Sequence, residues 1–179
     1  MDNDIKIFGI PASRGIEDLD SLAAQTERLR ESGSLDSAKR LARELAAFSA
    51  KSPELRDLAE SAGIALTPER EQQLHVMMVF SAQYALREVI APQLLAEAAI
   101  TTMNNYLINR SKEFWDTISD GSAFTQYLLA ARAPQGQQPA LMGEAFARVC
   151  GQEDNTDLQQ LGAAIFTTAK ELIAAKWNS

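Results

Sequence analysis

Apolar residues recur every three to four positions along most of this chain, which is the period of an amphipathic α-helix. In residues 19–29 the repeating positions are Leu19, Leu22, Ala23, Thr26 and Leu29. The same spacing returns in residues 35–48, 141–149 and 158–172. The pattern predicts an all-α fold, a compact bundle of seven or eight helices with short connections.

Three segments carry signals for the start of a helix. Ser52–Pro53–Glu54 and Thr67–Pro68–Glu69 each place a hydroxyl group before a proline and an acidic residue, an order that suits the first helical turn. Thr156 followed by Gln159 has the spacing of a capping box. The residues between 133 and 139, rich in proline and glutamine, predict a loop.

The middle of the chain has the most continuous apolar stretch. Leu74 and residues 76–80 cover the full circumference of a helix, which is typical of a buried one. The helical pattern runs from Thr67 to about Ile118, but Pro92 has no N–H group to donate within it. We therefore expect a central helical pair that is kinked or interrupted at Pro92.

We expect one helical domain over residues 1–179, in three parts. Residues 1–15 contain the alternating segment Ile5–Lys6–Ile7–Phe8, typical of an extended segment, but no second strand follows to pair with it. They are predicted to form an arm with Ile5, Ile7 and Phe8 at an interface. Residues 16–66 hold more charge and are predicted to be peripheral helices around an apolar bundle, residues 67–179.

Composition changes this picture in one respect, the choice of partner. The 179 residues carry a net charge of -7, which disfavours nucleic acid because its phosphates are also negative. The basic cluster Lys39, Arg40 and Arg43 lies beside acidic residues and is interpreted as a solvated helix face. No secretory signal and no long uncharged apolar run is present. We expect a cytoplasmic protein without membrane or nucleic-acid partners.

Residues 55–64 resemble the first helix and turn of a helix-turn-helix DNA-binding domain, with Ala59 followed four residues later by Gly63. The following segment departs from that pattern. Glu69 stands where an aliphatic residue is expected, and Pro68 restarts the chain inside the recognition helix. An ordinary helix that ends at Gly63 is the simpler prediction.

No pattern of catalytic or metal-binding residues is present. Glu71 and His75 share a helix face, but the chain has no second histidine to complete a metal site. Cys150 and His75 lack a third group to orient them, and a helix C-terminus disfavours a thiolate. Phosphate-binding loops and nucleophile motifs are missing as well. The sequence therefore predicts no enzyme, no metal and no cofactor.

Several polar residues interrupt the apolar middle and are candidates for a ligand site. Glu97, Thr101 and Asn104 or Asn105 follow helical spacing and form one polar stripe. If this stripe faces inward, its members must pair with each other or with a ligand. If it faces outward, it meets solvent or an oligomer interface. The candidate ligand residues are Tyr84, Arg87, Glu88, Glu97, Thr101 and Asn105.

These observations support two functional hypotheses of different class. The leading one is a non-enzymatic helical protein that acts through protein–protein contacts, as a homodimer, since two-fold dimers are the commonest oligomers. The alternative is a regulatory or effector-type helical domain that binds a small molecule near Pro92. A metal-independent enzyme that uses carboxylates is a third class, for which no acid and base pair can be named.

Overall fold

The computed structural model describes the backbone of residues 16–179 and the side chains from residue 19 onward. Within this part of the chain there are nine α-helices and no strand, so the all-α prediction is confirmed. The helices are α1 (Ile16–Glu31), α2 (Ser34–Ala50), α3 (Pro53–Ser61), α4 (Pro68–Val89), α5 (Gln93–Arg110), α6 (Lys112–Ser119), α7 (Ser122–Ala131), α8 (Gln138–Val149) and α9 (Thr156–Trp177).

The described residues contain one helix more than the upper number expected from the sequence. The helix expected to continue to Ile118 ends at Arg110. Ser111 has an extended backbone there, and its Oγ accepts a hydrogen bond from the Phe114 N–H at 3.2 Å. Because this bond satisfies a free donor of a first turn, a separate helix, α6, begins at Lys112.

Both starts that the prolines predict are confirmed. α3 begins at Pro53 and α4 at Pro68. Thr67 caps α4, since its Oγ1 accepts a hydrogen bond from the Arg70 N–H at 3.3 Å. Before α3 the arrangement differs from a simple cap, because the Ser52 hydroxyl donates to the Glu54 carboxylate at 2.6 Å. This bond lowers the pKa of Glu54.

The start of α9 lies one residue earlier than the capping box of Thr156 and Gln159 predicts. Asn155 is the capping residue, and its Oδ1 accepts hydrogen bonds from the N–H groups of Asp157 and Leu158 at 3.1 and 3.0 Å. Thr156 is the first residue of the helix itself. Asparagine ranks above threonine as a cap, which accounts for the shift.

Pro92 interrupts the central helical pair rather than kinking it. α4 ends at Val89, α5 begins at Gln93, and Pro92 takes an extended conformation between them. The Ala91–Pro92 peptide bond is cis. Because α4 and α5 pack against each other, the chain turns between them.

α4 is the central helix of the described fold. It contacts α9, α2 and α5, as well as shorter helices. Leu74 and residues 76–80 are buried, as their all-round apolar character predicts. This apolar part of α4 is therefore shielded from water by the helices around it.

α2 differs from the peripheral helix that the charge density of residues 16–66 suggests. It packs along α5 and against α4, and its apolar side joins the same core as the rest of the fold. The buried residues of α2 are Leu35, Ala38, Leu41, Ala42, Leu45, Ala46 and Ser49. Charged residues lie on its opposite side, which is why composition alone suggests a peripheral position. On α1, by contrast, Leu29 is the one described hydrophobic residue that packs against the core.

Candidate functional site

The predicted ligand residues divide between two sides of the molecule. Thr101 and Asn105 are exposed on α5, and Glu97 is partly exposed on the same helix. Arg87 joins them through an ion pair, with its Nε 3.1 Å from Glu97 Oε1. The stripe therefore faces outward, and the closed cavity that required an inward-facing stripe is not formed by these residues.

Tyr84 and Glu88 contact α8 and α9 instead. The Tyr84 ring lies 5.3 Å from the Phe166 ring, centroid to centroid, and its hydroxyl accepts a hydrogen bond from Gln138 Nε2 at 3.0 Å. The Glu88 carboxylate is 3.8 Å from Lys170 Nζ on α9. The fold thus separates these two residues from the polar stripe on α5.

A surface groove between α2 and α5 brings the stripe to a second set of polar residues. We call it the α2–α5 groove. It consists of two adjoining depressions of about 420 and 360 Å³. The residues that line both are Lys39, Thr102 and Asn105. The larger depression extends to Glu97 and Thr101, and the smaller one to Arg43 and Asn109.

Two cations face two carboxamides across this groove. Lys39 and Arg43 are one turn apart on α2, and Asn105 and Asn109 are one turn apart on α5. Among the described side chains, no carboxylate lies within ion-pair distance of Lys39 or Arg43. The sequence predicts a solvated helix face for Lys39, Arg40 and Arg43, and the structure leaves Arg40 and Arg43 exposed and Lys39 partly exposed. Helical spacing could not show that residues of α2 and α5, distant in sequence, line one groove.

Thr102 and Tyr106 of α5 form part of the wall of the α2–α5 groove. The Thr102 hydroxyl donates to the Ala98 carbonyl oxygen at 2.8 Å, so its oxygen is left as an acceptor. The Arg110 guanidinium lies over the Tyr106 ring, 5.8 Å from its centroid, within the range of a cation–π contact. These contacts position the side chains of Thr102 and Tyr106 on the groove side of α5.

The two remaining titratable candidates, His75 and Cys150, are partly buried among packed side chains. His75 Nδ1 lies 2.8 Å from the Ser49 carbonyl oxygen, and burial lowers the pKa of its imidazole. Burial raises the pKa of the Cys150 thiol to about 11, which keeps it protonated and poorly nucleophilic. Within residues 19–179, no three His, Cys, Asp or Glu side chains come together as a metal site.

Exposed leucines form a second candidate surface. On α1, Leu19 is 67% exposed and Leu22 is 48% exposed, whereas Leu29 packs against the core. On α7, Leu128 and Leu129 are 48% and 61% exposed. α1 contacts α2, but the apolar stripe that its sequence predicts is uncovered over its amino-terminal half by the described residues.

Comparisons with protein-family models, with curated proteins and with solved structures find no match for this chain. None of the described helices combines the length and the apolar character needed to cross a membrane. The arm residues Ile5, Ile7 and Phe8 lie outside the described residues, and their interface role stays a prediction.

Proposed function

We propose that this protein acts through protein–protein contact and that its partner is a second copy of itself, bound through α1. The observation that carries the proposal is the exposure of Leu19 and Leu22. Both lie on the apolar stripe of an amphipathic helix, and the described part of the chain leaves them open to water. A face of this kind is normally buried.

The energetics of α1 favour a partner for its amino-terminal half. A helix of 16 residues is marginal in water when it lacks tertiary contacts. Leu29 anchors one end of α1 to the core, and nothing among residues 19–179 covers the other end. Burying one leucine side chain contributes about 1.5–3 kcal/mol, so pairing of Leu19 and Leu22 stabilises both the helix and the dimer.

The acidic start of α1 and the direction of its helix dipole favour antiparallel pairing with a second copy. Its sequence is acidic near the start, with Asp18 and Asp20, whereas its last turns carry Arg28 and Arg30 beside Glu27 and Glu31, and Arg30 is paired with Glu27 at 3.0 Å. Two copies that pair antiparallel about a two-fold axis place the acidic start of each beside Arg28 of the other, which has no ion-pair partner among the described side chains. The opposed helix dipoles favour the same orientation.

The mass of the full chain in solution tests this proposal. Size-exclusion chromatography with light scattering is expected to show a dimer that dissociates on dilution. Leu19→Gln combined with Leu22→Gln is expected to give a monomer, because the pairing surface becomes polar. Glutamine keeps a good helix propensity, and circular dichroism checks that the helix content is unchanged.

The matched control changes two equally exposed leucines elsewhere. Leu128→Gln combined with Leu129→Gln on α7 is expected to leave the dimer intact. A monomer at every protein concentration contradicts self-association. A dimer that survives the α1 changes but dissociates with the α7 changes contradicts the assignment of the interface to α1.

A further inference from the structure

We infer that the α2–α5 groove binds the phosphate group of a small, hydroxyl-bearing organic molecule, with Lys39 and Arg43 holding the phosphate. This site does not involve α1, so the inference is independent of the proposed self-association. It rests on two cations that have no ion-pair partner among the described side chains, on the carboxamides that face them, and on the groove that these residues line together.

The donors of the smaller depression suit a phosphate monoester. Lys39 and Arg43 lie four residues apart, so their charged ends reach the same part of the groove. Asn105 and Asn109 supply further N–H donors from α5. A phosphate offers three acceptor oxygens and up to two negative charges, whereas a carboxylate offers two oxygens and one charge. Two cations and two carboxamides match the phosphate better.

The charge of Lys39 and Arg43 is available to a ligand. In an acidic chain with 24 Asp and Glu residues against 17 Lys and Arg residues, many cations are held in ion pairs. Arg87, Lys170 and Lys176 are examples. Neither Lys39 nor Arg43 has such a partner among the described residues, so an incoming anion does not have to displace a carboxylate of residues 19–179.

The larger depression suits the uncharged body of the ligand. Thr101 presents a hydroxyl, Leu94 and Ala98 present small apolar surfaces, and Glu97 presents carboxylate oxygens that accept hydrogen bonds from hydroxyl groups. Glu97 is paired with Arg87, which reduces its repulsion of a nearby anion. This depression of about 420 Å³ is open to solvent, so the uncharged body of the ligand lies along the surface rather than in an enclosed cavity.

Titration of the full chain with glycerol 3-phosphate tests the inference. The side-chain amide NMR signals of Asn105 and Asn109, assigned by their loss in the Asn→Ala variants, report binding at the site itself. Saturable shifts of both signals are expected with glycerol 3-phosphate. Glycerol is expected to shift neither signal, and inorganic phosphate is expected to bind more weakly, because it makes no contact with the larger depression.

Variants of the two cations separate a site from general charge attraction. Lys39→Gln and Arg43→Gln are each expected to weaken binding about tenfold, the usual effect of losing a charge-assisted hydrogen bond. Arg40→Gln is the matched control, because Arg40 is on the same helix but lines a different depression, beside Trp177. It is expected to leave the affinity unchanged within about twofold.

Three outcomes overturn the inference. The first is the lack of saturable shifts at about 10 mM ligand, well above a millimolar dissociation constant. The second is an equal loss of affinity in Arg40→Gln, which indicates attraction to the basic side of α2 in general. The third is equal affinity for inorganic phosphate, which removes the role of the larger depression. None of these results depends on the oligomeric state of the protein.

Discussion

Gly143 of α8 and Gly162 of α9 face each other where the two helices cross. A Cβ atom on Gly162 would lie 3.1 Å from the Gly143 Cα and 2.7 Å from the Phe146 Cβ. A Cβ atom on Gly143 would overlap the backbone carbonyl of Gln159. Both glycines lie inside helices, so they are required for space. Their small size permits the most extensive helix contact of the described fold.

Substitution at this crossing is expected to destabilise the protein. Gly143→Ala forces α8 away from the backbone of α9, and overpacking of this kind lowers the free energy of unfolding by about 3 kcal/mol. Urea denaturation measures the difference. Gly136→Ala is the control, because a Cβ there meets nothing within 4 Å and the backbone is not left-handed. Equal stability of the two variants contradicts the close crossing.

Gln138 is a buried polar anchor at the start of α8. Its Nε2 is 2.7 Å from the Ala131 carbonyl oxygen and 3.0 Å from the Tyr84 hydroxyl. We expect Gln138→Ala to lower the free energy of unfolding by about 2 kcal/mol, because buried acceptors lose their donor. Thermal or urea unfolding measures this loss. Gln135→Ala, at an exposed position of the loop that precedes α8, is expected to change stability little.

Tyr127 carries a buried hydroxyl that has no hydrogen-bond partner among the described residues. Tyr127→Phe therefore removes a polar group without breaking a bond, and the free energy of unfolding is expected to stay equal or rise by up to about 1 kcal/mol. Tyr84→Phe is the matched comparison, because its hydroxyl accepts the Gln138 bond. That variant is expected to lose about 1 kcal/mol. The opposite order in urea unfolding contradicts this assignment.

His75 makes stability depend on pH. Burial is the main cause that lowers the pKa of its imidazole below the ordinary value of 6.5. The unfolded chain then binds a proton more readily than the folded chain, so the free energy of unfolding falls as the pH drops below 6.5 towards the lower folded pKa. His75→Gln is expected to flatten this part of the profile. Urea unfolding between pH 7 and 5 measures the slope of the free energy of unfolding against pH. If that slope is unchanged in His75→Gln, the pH dependence arises from other groups.

Local features of the sequence predicted most of the helices correctly. A proline at the first helical position, as at Pro53 and Pro68, acts on its own neighbours, and the prediction needs no knowledge of distant residues. The buried stretch around Met77 was equally clear, because an all-round apolar helix has one stable environment. The sequence did not decide correctly between neighbouring positions that suit the start of a helix almost equally well. The cap of α9 is Asn155 rather than its neighbour Thr156, and the break at Ser111 gives an additional helix.

Helical spacing determined which residues of this chain share a face, but only the tertiary structure decided what each face meets. Leu19 and Leu22 have the same periodicity as the buried leucines of α2, yet they are exposed because no other described element reaches them. Lys39 and Asn105 line one groove because α2 and α5 pack side by side. Periodicity arises from bonds along one helix, whereas burial and site geometry arise from contacts between distant segments.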